Sequence, residues 1–186
     1  SGEFTNITHF IGSKASGDSL RGMEEASSWT LDGDKITYTN NVIKSILENA
    51  NIEDTTDSIR ISVVGIEILK GNNAGDTFTI SGTVPYSLVG GTGDDIFRLL
   101  NNAKLQGNIN GGAGEDSFIF EDKATLQGSL DGGEGQDTLD FSAYQTARNI
   151  VLTAVGKDGF TGKEGAITAG FANIDNLIGS SANNDR

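Results

Sequence analysis

Apolar residues alternate with polar ones in three short stretches, Phe97 and Leu99, Phe118 and Phe120, and Leu139 and Phe141, each just after a cluster of glycines. Period-two alternation is the pattern of a strand that turns one face inward. The segments GGTGDDIFRL from Gly90, GGAGEDSFIF from Gly111 and GGEGQDTLDF from Gly132 align without gaps at a step of 21 residues. Behind them Ala103-Lys104-Leu105-Gln106-Gly107 recurs as Ala124-Thr125-Leu126-Gln127-Gly128. On this return half Leu105 and Ile109, then Leu126 and Leu130, predict a second short inward-facing strand. A degenerate earlier copy, GNNAGDTFTI, begins 19 residues upstream at Gly71, and its Val84 and Leu88 regain the register of Leu105 and Ile109.

Two strands and two turns in about 21 residues make one coil of a solenoid in which successive coils pair in parallel and identical positions stack. The predicted fold is therefore all-β, a parallel β-solenoid of the β-roll or β-helix kind with regular coils over 71–141. Phe78, Phe97, Phe118 and Leu139 should stack along one side of its core, and Val84, Leu105 and Leu126 along the other. A helix does not suit these segments, because glycine returns at every turn of the pattern. The flanks, 4–70 and 142–180, should cap the regular part or dock a neighbour. Trp29 to Thr39, with Asp32-Gly33-Asp34 in its middle, predicts a hairpin. Apolar residues at 42, 43, 46, 47 and 50 predict one short helix over Val42–Ala50, capped by Asn40 or Asn41. Ile59–Leu69 and Asn149–Val155 read as strands, and Gly156–Gly165 as a turn-rich excursion.

A longer repeat overlies the short one. Phe4-Thr5-Asn6-Ile7-Thr8-His9-Phe10-Ile11-Gly12-Ser13 matches Phe171-Ala172-Asn173-Ile174-Asp175-Asn176-Leu177-Ile178-Gly179-Ser180, from Gly12 to Gly179 a step of 167 residues. The match continues from Ala15 and Asp18 to Ala182 and Asp185. Residues 1–186 are thus expected to be one module of a tandem array, with 171–186 beginning the next copy. Ser1-Gly2-Glu3-Phe4 has neither the basic nor the apolar region of a signal peptide and is consistent with a cloning remnant on an excised piece.

Composition narrows the chemistry. The 186 residues include 26 Gly, no Cys and one His, so a zinc cluster, a disulfide framework and thiol catalysis are all unavailable to this sequence. The glycines lack the every-third spacing of collagen and must serve turns. A net charge of −13 opposes nucleic acid and anionic membrane surfaces and favours cations. No run of about 18 apolar residues is long enough to span a bilayer. His9 is replaced by Asn176 in the second copy, so a catalytic role for it is not expected. Trp29 and the few Tyr are scattered and suit core or hairpin packing better than a sugar platform. Asp131 and Asp140 could pass for the carboxylate pair of a glycosidase, but no further acid–base pair accompanies them, and no enzyme is expected.

The turns GGTGDD, GGAGED and GGEGQD carry the candidate chemistry. Gly91 and Gly93, Gly112 and Gly114, and Gly133 and Gly135 free the backbone to turn several carbonyl oxygens toward one point. Asp95, Asp116 and Asp137 add a carboxylate where each strand begins. Ca²⁺ takes six to eight oxygen ligands, more than one such turn supplies, and two turns stacked about 4.8 Å apart can complete the shell. In the plainer reading these are tight turns whose Asp caps its own backbone. Glycine alone would serve such a turn, and the stacked carboxylates would then only repel.

The pattern Gly-Gly-x-Gly-x-Asp-x-apolar-x, complete at 90–98, 111–119 and 132–140, resembles the nonapeptide of haemolysin-type calcium-binding (RTX) repeats. The resemblance covers Gly71 to Phe141. It implies a parallel β-roll with Ca²⁺ between neighbouring turns, secretion in an unfolded state and folding on extracellular calcium. The 167-residue repeat also resembles units of giant repetitive bacterial adhesins, which implies a structural or adhesive module at the cell surface or outside the cell, in contact with neighbouring copies and with another surface or a glycan. This chain departs from the family in its longer step and in an opposite turn, Leu105-Gln106-Gly107-Asn108-Ile109-Asn110, that lacks the motif. Calcium is therefore expected on one edge only, between the turns at 90 and 111 and between those at 111 and 132. At the turn from Gly71, Asn72, Asn73 and Ala74 break the glycine pattern although Asp76 keeps the carboxylate. The turns ending in Asp18 and Asp185 have an extra residue and are not expected to bind calcium. An accessory carbohydrate-binding β-roll and a metal-free haemagglutinin-like solenoid are the other classes compatible with the sequence.

Overall fold

Alternation becomes burial strand by strand. In the computed structural model, described over residues 9–11, 19–22, 26–33, 35–40, 59–64, 66–182 and 184–186, the segment 27–32 alternates buried and exposed without a break, and 96–99 does the same. The described residues are all-β, with no helix among them. The segment Val42–Ala50, where a helix is expected, lies outside the described residues.

One sheet has the order β1 (His9–Ile11), β5 (Ile59–Val64), β4 (Lys35–Asn40), β3 (Ser27–Asp32), β7 (Thr77–Ser81), β10 (Ile96–Leu99), β13 (Ser117–Phe120), β16 (Thr138–Asp140), β20 (Asn176–Ile178). All its pairings are parallel except those of β4, which runs against β3 and β5. The expected hairpin is β3 and β4, closed at Gly33 with φ 63°. The second sheet runs β2 (Ser19–Arg21), β6 (Ile68–Lys70), β9 (Ser87–Thr92), β12 (Ile109–Ala113), β15 (Leu130–Glu134), β19 (Ile167–Ile174), β14 (Thr125–Leu126), β11 (Lys104–Leu105), β8 (Thr83–Val84). Its β19 reaches both arms, pairing Ile167 with Leu126 and Phe171 with Leu130.

Each repeat therefore contributes three strands rather than the expected two. The return half bends at Gly107 and Gly128, where a β-carbon would overlap the Tyr86 carbonyl and the Gly107 carbonyl respectively. Glycine permits the close passage of one repeat over the next, and the bend separates β11 from β12 and β14 from β15.

The register holds the predicted stacks. Phe78, Phe97, Phe118 and Leu139 lie directly opposite one another, extended by Trp29 at one end and Leu177 at the other. Trp29, Phe78, Phe97 and Phe118 stack with interplanar angles of 8°, 2° and 10°. Facing rows are Leu69, Leu88, Ile109, Leu130 and Phe171, and Val84, Leu105, Leu126 and Ile167. All of these residues except Leu177 are buried in one core.

The segment Gly156–Gly165, expected to be turns, contains strand β18 (Gly159–Glu164), which joins β17 (Val151–Gly156) to β19 in antiparallel pairing. Its short Gly-rich sequence has no apolar alternation of its own, and only the neighbouring strands select the extended form. Arg148 anchors this excursion through an ion pair with buried Glu164 and by lying over the rings of Tyr144, at 4.2 Å, and Phe141, at 5.4 Å.

Candidate metal centre

The corner where β9, β12 and β15 of the second sheet lead into β10, β13 and β16 of the first gathers the aspartates picked out by the repeat. Asp95, Asp116 and Asp137 are buried to 0–1% exposure, as is Asp76 in the turn before β7. A carboxylate this deep costs several kcal/mol unless it is paired and hydrogen-bonded.

Half of that need is met by a ladder. The Asp76 N–H donates to Asp95 Oδ1 at 2.7 Å, the Asp95 N–H to Asp116 Oδ1 at 2.8 Å, and the Asp116 N–H to Asp137 Oδ1 at 2.9 Å. The Asp137 N–H continues the series to Asp175 Oδ2 at 3.0 Å. Asp95, Asp116 and Asp137 thus each cap the backbone of the preceding repeat and not their own turn. The other half is unmet: Oδ2 of Asp95, Asp116 and Asp137 is buried and has no hydrogen-bond partner among the described residues.

Those three oxygens share one setting. Asp95 Oδ2 and the Gly111 carbonyl oxygen both crowd the α-carbon of Gly90, where a β-carbon would overlap them. Asp116 Oδ2 and the Gly132 carbonyl stand in the same relation to Gly111, and Asp137 Oδ2 and the Asn173 carbonyl to Gly132. Between each pair of turns, then, a bare carboxylate oxygen and a main-chain oxygen of the next repeat face a space that only glycine leaves open. The remaining motif glycines, Gly91, Gly93, Gly112, Gly114, Gly133 and Gly135, all have positive φ, from 98° to 146°. At Gly91 the reason is explicit, since a β-carbon there would overlap the Asn72 carbonyl oxygen.

A buried carboxylate oxygen without a donor, placed beside a main-chain carbonyl oxygen, is a setting that suits a cation. Burial pushes the Asp95 carboxyl up to about 8; the Asp76 N–H opposes the rise, and the charges of Asp116, Asp76 and Asp94 add to it. Burial likewise brings Asp116 and Asp137 to about 6, opposed by the N–H groups of Asp95 and Asp116 and reinforced by neighbouring carboxylates. A divalent ion would reverse that shift by supplying the missing positive charge. Among the described residues no three carboxylate or imidazole side chains converge, so such an ion would draw most of its ligands from main-chain oxygens. The residues present fit Ca²⁺, whose flexible oxygen shell accepts carbonyls as readily as carboxylates.

The degenerate turn differs in chemistry as well as in sequence. Asp76 Oδ2 accepts the Asn72 N–H at 2.8 Å, and Asp76 Oδ1 accepts the Ser27 N–H at 2.8 Å, the Ser27 hydroxyl at 2.5 Å and Asn72 Nδ2 at 3.2 Å. Both of its oxygens are satisfied by the protein. Asp185 is similarly occupied, by the Ser180 N–H and hydroxyl and the Arg148 N–H. Asp18 lies outside the described residues.

Ser27, Asn72, Asn173 and Asp175 take part in this network although the nonapeptide pattern does not contain them. Asn173 and Asp175 belong to the 167-residue repeat, which is the one signal in the sequence that sets them apart. Asp131 and Asp140 stay in separate networks, accepting from Asn173 Nδ2 at 2.8 Å and from the Ser142 N–H at 2.6 Å. Trp29, Tyr38, Tyr86 and Tyr144 are at most 5% exposed and present no aromatic platform. No family model, curated protein or solved structure matches the chain.

Proposed function

We propose that this chain is a non-catalytic, calcium-stabilised module, a parallel β-solenoid that serves as one structural or adhesive unit of a large secreted or surface-attached bacterial protein. The observation that carries the calcium reading is the row of buried Oδ2 atoms without donors among the described residues on Asp95, Asp116 and Asp137, beside the carbonyl oxygens of Gly111, Gly132 and Asn173 respectively. The regular step of 21 residues and the three inward rows of stacked side chains support the solenoid. The resemblance of the three turns to RTX repeats supports the same assignment, with Asp95, Asp116 and Asp137 and the glycine-turn carbonyls as the groups that would hold the ion. Calcium would supply the charge that lets the carboxylates remain ionised while buried.

The mechanism is linkage. Without calcium the ionised turns repel one another and oppose closure; when an ion binds the folded form alone, each site stabilises it in proportion to the logarithm of ligand over Kd. Extracellular sites of this kind have Kd values of roughly 10⁻⁴–10⁻³ M, so the module would stay loose at cytoplasmic calcium and fold outside the cell. Titration with Ca²⁺ followed by circular dichroism and thermal unfolding tests this. A Tm that climbs with calcium through the millimolar range supports it, and identical Tm in chelator and in excess Ca²⁺ overturns it.

A metal-free solenoid is the second reading, and Asp76 favours it: there the same column is completed by Asn72 and Ser27 with no ion. Metal analysis of the purified protein separates the two. Stoichiometric calcium belongs to the first reading and its absence to the second.

A further inference from the structure

The two ends of the first sheet are made from the same piece of sequence. Strand β1, His9–Ile11, and strand β20, Asn176–Ile178, are counterparts in the 167-residue repeat, and they occupy opposite edges of that sheet. Through the parallel pairings and the double reversal at β4 they point the same way.

They also show different edges of the strand in use. In β20 the Asn176 N–H donates to the Asp137 carbonyl at 2.9 Å and the Ile178 carbonyl accepts the Phe141 N–H at 2.9 Å, so both residues bond toward β16 and its continuation. Successive residues of a strand direct their main-chain groups to opposite sides. The N–H and C=O of Leu177 therefore face the open edge. In β1 the counterpart of Leu177 is Phe10, and Phe10 lies opposite Val63 of β5. The partner that no described strand supplies beside β20 is thus displayed beside β1.

The chain after β20 is seated as well. Arg186 donates its N–H to the Arg148 carbonyl at 3.0 Å and its own carbonyl accepts the Ile150 N–H at 2.8 Å, the Ser181 N–H donates to the Tyr144 carbonyl at 3.1 Å, and the Asp185 carboxylate accepts the Arg148 N–H. Segment 179–186, counterpart of 12–19, is held against 144–150 of the copy before it.

We infer that consecutive copies share one strand: β20 of one copy is β1 of the next, with β16 of the first on one edge and β5 of the second on the other, so that the sheet runs unbroken from copy to copy. The occupant of the open edge is the β5 segment of the following copy. This rests on the reading of the chain as a unit of a tandem array and is independent of calcium. The units would form a rigid rod and not beads on a flexible string, because each junction buries main-chain bonds.

The test joins residues 1–178 directly to residues 12–186 of a second copy, giving one shared strand, and compares this with the single chain and with two whole copies joined by a long Gly/Ser linker. Amide exchange at Leu177 and thermal unfolding are followed in calcium and in chelator. The shared-strand chain should protect the Leu177 amide roughly a hundredfold more than the single chain does, and it should melt above the single chain while the linked pair melts with it. An unprotected Leu177 amide, equal melting of all three chains, or an unfolded second half overturns the inference. A single chain that ignores calcium overturns only the calcium reading, since strand sharing is read from the comparison at fixed calcium.

Discussion

Asp116 accepts the Asp95 N–H on one carboxylate oxygen, at 2.8 Å, while its other oxygen is buried and without a donor. The first bond welds two repeats together whatever the metal content. The second oxygen destabilises the fold until something positive reaches it. Separating these two roles by substitution and by pH is the direct way to examine the centre.

Asp116→Asn keeps a side-chain oxygen for the Asp95 N–H and removes the buried negative charge. In chelator at pH 8 the variant should be more stable than the parent by roughly 1–3 kcal/mol, the scale of an unsatisfied buried polar group. In millimolar calcium it should be less stable than the parent and bind fewer ions. Urea unfolding in the two buffers measures both, and a change of the same sign in each would contradict the assignment.

The raised carboxyls set a pH dependence with a definite sign. Asp95, Asp116 and Asp137 hold protons in the folded protein up to about 8, 6 and 6, against 3.8 when unfolded. The folded state binds more protons over this window, so metal-free stability is greatest at acid pH and declines as pH rises from about 4 through 6 toward 8. The Tm in chelator should fall from pH 5 to pH 8. Calcium, which competes with those protons, should abolish or invert the slope.

Phe97 is fully buried between Phe78, at 4.9 Å, and Phe118, at 5.2 Å, and its neighbour Ile96 is 38% exposed. Phe97→Ala should cost about 3–5 kcal/mol through lost burial and the cavity left in the stack. Ile96→Ala, one step along the strand and on the other face, should cost less than about 1 kcal/mol. Denaturant midpoints of the two variants report the contrast.

Gly112 has φ 116°, and a β-carbon on it would overlap the Gly91 carbonyl oxygen. Gly112→Ala should destabilise by at least about 1–2 kcal/mol and weaken calcium binding by spreading adjacent turns. At Gly165 the nearest atom to an added methyl is 3.7 Å away on the Arg148 side chain. Gly165→Ala should leave Tm and calcium response unchanged within about 0.5 kcal/mol.

Much of this was legible in the chain because the repeat states each constraint several times. The alternation at Phe97 and Leu99 and its return at Phe118 and Phe120 fixed both strand type and register, and the structure pairs them as the step requires. The repeat singled out Asp95, Asp116 and Asp137 as candidate ligands, and their burial emerged only in the structure. The use of one oxygen to cap a preceding repeat did not, since it depends on the offset between turns and leaves no mark in composition. Strand β18 was hidden for a related reason: Gly159 to Glu164 has no alternation of its own and takes its form from β17 and β19. Ser27 joins the aspartate column across 49 residues, a distance over which no local pattern reports.

The row from Trp29 to Leu177 has a genetic corollary. Phe78, Phe97 and Phe118 each meet large apolar neighbours in the same register on both sides, and Asp95 and Asp116 are capped and capping in the same way. Deleting or duplicating one stretch of 21 codons, from Gly90 to Asn110 for instance, would bring a surviving strand against a partner of the same register. Recombination between misaligned repeats would thus lengthen or shorten the stack without redesigning its ends. Length is then a trait that selection can tune in whole repeats.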